Sequence, residues 1–275
     1  MKIALCLSGY FANAGGAIGS ERGYEYIQRK ILDGRDVDVF VHSWDLENED
    51  RVKELYSPKA DLFEPQHSFD EELESFQEDW FNEDFDRDKT MYKTNTIYRG
   101  LSQLLSRKKA VDLKSEYEKE NGFVYDCVIL TRFDLGTRGK EHYQVYYATN
   151  MNFSDTLDMS YLYSAFWDQF NHGYADHWFF SSSENMNVVA NLYDKVFDYY
   201  QPSSDYVKAV TEGWPESSAK DEFSNEKFVP KEVRTTDLKR YPRWGCVDNH
   251  KLYKWHFIST GLHEKAKYID ITRDF

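Results

Sequence analysis

Three short apolar runs, each ending in a polar cluster, constrain the fold of this chain most. Residues 2–8 (KIALCLS) lead into Ser8-Gly9-Tyr10, and residues 37–42 (VDVFVH) into His42-Ser43-Trp44-Asp45. Val124 to Leu130 (VYDCVIL) leads into Thr131-Arg132-Phe133-Asp134. Compact apolar runs of this length read as buried strands. Between the first two, Glu21 to Leu32 carries Tyr24, Ile27, Ile31 and Leu32 at helical spacing. A short helical stretch and Ala60 to Glu64 then complete a β-α-β-α-β start. Strands that alternate with helices predict a mostly parallel sheet with right-handed connections.

Residues 91–119 predict a long amphipathic helix through Ile97, Leu101, Leu104, Leu105 and Val111. Further strands are expected at 143–149, 158–166 and 177–181. A helix follows from Glu184 to about Tyr200, capped by Ser182 or Ser183. The stretch 201–275 is interrupted by Pro202, Pro215, Pro230 and Pro242 and reads as less regular. Residues 66–89 are rich in Asp and Glu and read as a surface excursion. With no internal repeat and no sharp change of composition, the 275 residues are expected to form one α/β domain.

The net charge of −14 argues against nucleic acid or an anionic membrane as a partner. It also sets a condition: a phosphorylated ligand needs a metal ion or a local Arg or Lys to offset its charge. The three cysteines, Cys6, Cys127 and Cys246, show no CxxC spacing, and the first two sit in apolar runs as small core residues. No run approaches the ~18 apolar residues of a membrane span. A soluble, cytoplasmic protein, monomeric or homodimeric, is expected.

Ligands of open α/β sheets bind beyond the carboxyl ends of the strands. The three polar clusters fall there, so Ser8, Gly9, Tyr10 and His42 are candidates for a nucleoside pocket. The Gly9–Gly19 stretch contains neither GxxxxGK[ST] nor GxGxxG and reads as a loop, although its backbone N–H groups can face a nucleotide. Asp134 lies just past a buried strand, where a carboxylate beside a diphosphate calls for a hard divalent cation such as Mn²⁺ or Mg²⁺. Lys93 and Arg99, at the start of the long helix, are candidates to reach the diphosphate.

Together, KIALCLSGY, DVFVHSWD, YDCVILTRFDL and ADHWFFSSSENM resemble the small GT-A glycosyltransferases of surface-polysaccharide loci and large algal viruses. The resemblance covers about residues 1–190. It implies a GT-A-type, Rossmann-like sheet flanked by helices, with a nucleotide-binding half (about 1–140) and an acceptor-binding half (about 141–275). It also implies a DxD-type motif after the central strand. The matching residues here are Arg132-Phe133-Asp134, which leaves Asp134 as the metal ligand, while Arg132 can itself pair with phosphate. Asp176 falls where inverting members place their general base, and Tyr174 and Trp178 flank it. A C-terminal histidine often completes the metal site in such enzymes. His250, His256 and His263 are the candidates, and His250 is preferred because it follows Asp248-Asn249 in a polar turn.

The expected activity is transfer of a sugar from a nucleotide-diphosphate donor, a UDP-sugar, to a carbohydrate hydroxyl, with Asp176 as base. The resemblance suggests a pentose such as xylose; in a viral setting the host cytoplasm would be the site of action. Two rivals stay open. A sugar nucleotidyltransferase would use similar parts but normally carries a Gly-rich Arg/Lys signature near its first strand. A non-catalytic carbohydrate-binding protein would use the Tyr and Trp surface without nucleotide.

Overall fold

The computed structural model describes residues 1–12, 17–72, 94–137, 150–165, 173–215 and 248–269. The expected strand at 143–149, Lys93, Cys246 and most of the acidic excursion lie outside them. Strand β1 (Lys2–Ser8) is followed by helix α1 (Ala17–Ile27), which runs on as a π-helical turn (Gln28–Leu32), and by β2 (Asp36–Ser43). Helix α2 (Glu49–Tyr56) opens with Glu49 and Asp50, whose charges suit a helix N-terminus, and leads to β3 (Ala60–Phe63). The long helix α3 (Thr94–Asn121) precedes β4 (Cys127–Arg132). Strands β5 (Leu162–Ala165) and β6 (Trp178–Ser181) come next, then α4 (Ser183–Ala190), α5 (Leu192–Tyr199) and α6 (Asp205–Glu212). Helix α7 (Asn249–Thr260) and β7 (Ala266–Ile269) close the described chain.

The strands form one sheet in the order β3-β2-β1-β4-β6-β5-β7. Every neighbouring pair is parallel except those involving β6, which runs against both β4 and β5. The architecture is therefore α/β with a mixed, mostly parallel sheet. Alternation within β1 explains the unbroken apolar run: Ile3, Leu5 and Leu7 enter one core, while Ala4 and Cys6 enter the other. The first core packs against α1 and α2 through Ile27, Ile31, Val52 and Tyr56. The second is covered by α3 with Leu101, Leu104 and Val111, and by α4, α5 and α7. Burial pushes the Cys6 thiol up to about 12, so it behaves as a small core group.

Several boundaries differ from the sequence expectation. Strand β4 begins at Cys127, not Val124, because Val124 is exposed and the Tyr125 N–H is turned onto Glu118 at 2.9 Å. The helix expected from Glu184 to Tyr200 is two helices that meet at Asn191, and Ser182 caps the first. The Pro-interrupted tail contains α6, α7 and β7.

A buried ionic network ties α3 to α4. The Lys114 ammonium, fully buried, donates to Glu118 (3.0 Å), Ser183 Oγ (2.6 Å) and Asn187 Oδ1 (2.8 Å). Glu118 also accepts from Ser183 Oγ at 3.0 Å and from the Tyr125 N–H. Each charge is thus paired and further hydrogen-bonded, the condition under which burial is tolerated. Lys114→Ala leaves the Glu118 carboxylate buried without its cation. It is expected to lower the unfolding free energy by ~3–5 kcal/mol, read as a reduced urea midpoint at unchanged slope. Lys108→Ala, which removes pairs to half-exposed Asp112 and Asp194, is expected to cost less than ~1 kcal/mol. Equal losses in the two variants would contradict this account.

Candidate functional site at the carboxyl edge of the sheet

The polar residues that end β1 and β2 are fastened to each other. Gly9 takes φ +100, a backbone that a side chain would strain, and its N–H reaches Ser106 Oγ (2.9 Å) on α3 and the His42 carbonyl (3.2 Å). Ser43 Oγ donates to the Gly9 carbonyl at 2.7 Å, and Asp45 accepts the Ala12 N–H at 3.0 Å. The buried Ser8 hydroxyl donates to the Thr131 carbonyl at 3.4 Å, joining this corner to β4. Tyr10 stands at the surface, 39% exposed.

His42 is fully buried. Its Nδ1 lies 2.8 Å from Ser106 Oγ and its Nε2 3.2 Å from Glu64 Oε1, which Lys109 also contacts. Both ring nitrogens are engaged inside the fold, so His42 positions the Gly9 loop and offers no ring nitrogen to a nucleoside. Burial, with Lys109 adding to it against the opposing effect of Glu64, lowers its pKa to about 4.

The reversed strand assembles the other corner. Because β6 is antiparallel to β4, Trp178 at its start pairs with Thr131 near the end of β4. Asp176 and His177, just before β6, therefore share an edge with Arg132, the last residue of β4, and with Asp134, just after it. Thr131 Oγ1 donates to the His177 carbonyl at 3.2 Å. Arg132 Nε donates to Asp134 Oδ1 at 2.8 Å, and its Nη2 contacts Oδ2 to complete a two-bond fork.

The N-terminus of α7 closes this corner from a third side. Asp248 caps it by accepting the His250 N–H at 2.9 Å. The Tyr174 N–H donates to the His250 carbonyl (3.1 Å), and His250 Nδ1 donates to the Tyr174 carbonyl (2.7 Å). That contact requires Gly173, at φ +80, because a Cβ there would lie 2.1 Å from the His250 carbonyl oxygen. Arg107 on α3, 1% exposed, braces the segment from behind. Its Nη1 donates to Tyr253 Oη at 2.8 Å and its Nη2 contacts the Asp176 carbonyl.

Asp176 is 7% exposed. Its carboxylate accepts no hydrogen bond among the described residues and stands 3.7 Å from His250 Nδ1 and 3.8 Å from His177 Nδ1. Burial alone would raise its pKa, but His250, Arg107, His177 and Arg132 outweigh it and hold the group well below the usual carboxylate range. Asp176 is therefore ionised. Burial, reinforced by Arg132, lowers His177 to about 4 and keeps it neutral near pH 7. Asp134 is lowered too: its burial opposes the shift, and the Arg132 fork prevails.

The sequence candidates thus divide. Arg132, Asp134, Asp176 and His250 meet at one corner, and Ser8, Gly9 and Tyr10 form the adjacent one. Arg99 is exposed on α3 and makes no ion pair among the described residues, while Lys93 lies outside them. Of the other two histidines, His256 is buried between the Val188 carbonyl (2.7 Å) and Tyr199 Oη (3.0 Å), and His263 pairs with Tyr174 Oη at 2.8 Å. His256 thereby ties α7 to α4 and α5, and His263 ties the turn after α7 to the segment before β6. A divalent ion fits this donor set poorly. Both oxygens of Asp134 are taken by Arg132, and among the described residues no group of three or more His, Cys, Asp or Glu is placed to hold a metal. Asp134 and His250, the expected metal ligands, lie at the same corner, with both Asp134 oxygens on Arg132.

Arg107, His177 and Asp248 belong to the site but escaped the sequence reading. Arg107 had a legible signal: it follows Leu104 by three residues and precedes Val111 by four, so it lies on the apolar face of α3.

The neutral histidines set a pH dependence. His42 and His177 bind protons near 4 when folded but near 6.5 when unfolded, so the unfolded chain holds more protons in between. Their contribution to stability is complete above about 6.5 and is lost as the pH falls toward 4. Urea unfolding at a series of pH values is expected to show stability declining through this window, less steeply in His177→Gln. Stability that is flat or rises on acidification would contradict it.

No protein-family model, curated protein or solved structure matches the chain.

Proposed function

We propose that the chain is a glycosyltransferase of GT-A type that moves a sugar from a nucleoside-diphosphate donor, a UDP-sugar, to a glycan hydroxyl with inversion. One observation carries the reading: Asp176 is an ionised, nearly buried carboxylate that accepts no hydrogen bond among the described residues, at the ligand edge of the sheet. A buried charge left with open acceptor positions is costly to folding. Such groups cluster where chemistry needs them. An α/β sheet of this order, with helices on its faces, is compatible with a Rossmann-like architecture.

The chemistry follows from the residues at the edge. An acceptor hydroxyl gives its proton to an Asp176 carboxylate oxygen as its own oxygen attacks the anomeric carbon of the donor. The bond from that carbon to the diphosphate breaks, and the nucleoside diphosphate leaves with the bonding electrons. Attack opposite the leaving group inverts the anomeric centre. His177 and His250 flank the base, their Nδ1 atoms 3.8 and 3.7 Å from its carboxylate. Gly9 and Tyr10, beside the ends of β1 and β2, face the nucleoside, with Tyr10 presenting an exposed ring. Donor and acceptor are taken as cytoplasmic.

A thermal-shift panel of UDP, GDP, CMP and their common sugar conjugates, UDP-xylose included, tests donor binding with Mn²⁺ and with EDTA. A ligand that binds the folded state raises its melting temperature by mass action. A rise with one nucleotide family supports the reading. No rise with any nucleotide, together with a rise with glycans alone, would transfer support to a carbohydrate-binding protein. Asp176→Asn is expected to keep the donor-induced shift and lower kcat by ~10²–10⁴-fold. Wild-type turnover in that variant would exclude Asp176 as the base.

A further inference from the structure

The Arg132–Asp134 fork bears on how a diphosphate is neutralised here. Arg132 closes β4 with its side chain 34% exposed, while Asp134 is 17% exposed. The fork uses Nε and Nη2; Nη1 makes no hydrogen bond among the described residues. Of the neighbouring cations, Arg107 is buried and bound to Tyr253 and the Asp176 carbonyl, and Lys109 is held by Glu64. His177 is neutral near pH 7. Among the described residues, Arg132 is therefore the accessible fixed positive charge where β4 and β6 meet.

A planar guanidinium offers the same two-donor edge to a carboxylate and to a phosphate. A diphosphate carries more charge than Asp134, so it can replace that carboxylate with bonds of the same kind. A divalent ion has a harder route. It must draw Asp134 off Arg132, and it then stands beside an unpaired guanidinium, cation next to cation in a partly desolvated place.

We propose that Arg132 is the diphosphate-binding cation, that Asp134 latches it when no donor is bound, and that donor binding needs no divalent ion. This rests on the nucleotide-sugar reading above. Removing the Asp134 charge removes both a competitor for Arg132 and a repulsion against the phosphates, so Asp134→Asn tightens donor binding.

Isothermal titration with UDP and GDP, each in EDTA and in Mn²⁺, separates the outcomes. The expected result is binding in EDTA of similar affinity to that in Mn²⁺, weakened ~10–100-fold in Arg132→Gln and strengthened in Asp134→Asn. Arg132→Lys, which keeps the charge without the fork, is expected to fall between wild type and Arg132→Gln, and provides the comparison if the Gln variant does not fold. Binding only with Mn²⁺, lost in Asp134→Asn, would make Asp134 a metal ligand and overturn this proposal while leaving the transferase reading intact. Absence of binding in both conditions would overturn the transferase reading and this proposal with it.

Discussion

The site depends on one reversed strand pairing. Had β6 run parallel to β4, its start would lie at the opposite edge of the sheet, and Asp176 with it. The antiparallel register, Thr131 against Trp178, instead brings the segment entering β6 to the residues leaving β4. A sheet of otherwise parallel strands thereby gains a carboxylate from a distant part of the sequence at its ligand edge. The Gly173–Tyr174 contact then fastens that segment to the start of α7.

Helix α3 is the spine that makes this edge rigid. Along one side it supplies Ser106 to the Gly9 loop, Arg107 to the Asp176 carbonyl and Lys114 to the network beneath α4. All three polar groups are buried, and their hydrogen bonds tie the helix to loops and strands that apolar contact alone would leave free to slide. The result is a sheet edge where charge is held in place by buried hydrogen bonds, the kind of arrangement that the proposed stabilisation of a departing diphosphate calls for.

Much of this was legible in the sequence, for identifiable reasons. The strands β1 and β2 and the long helix are written in apolar runs and helical spacing, and the polar strand ends follow from the parallel sheet. Asp134, Asp176 and His250 were also legible as polar residues at punctuated positions. What escaped has a physical cause as well. Arg107 looks like part of a solvated basic run, Arg107-Lys108-Lys109, until its register on the apolar face is counted. Asp134, expected as a metal ligand, has both of its oxygens met by the residue two before it, a pairing that spacing alone does not reveal. His42, read as a ligand contact because it ends a strand, is turned inward by Ser106 and Glu64. Local pattern shows where polar groups fall, but only tertiary pairing decides which of them remain open.

The central claim, that a nucleotide-diphosphate donor sits at the junction of β1, β4 and β6, is tested most directly by mapping amide chemical shifts on addition of UDP-sugar. The account predicts the largest changes at Gly9, Tyr10, Arg132, Asp134 and His177, with α5 and α6 unaffected. Changes confined to other surfaces, or produced by glycan and not by nucleotide, would contradict it.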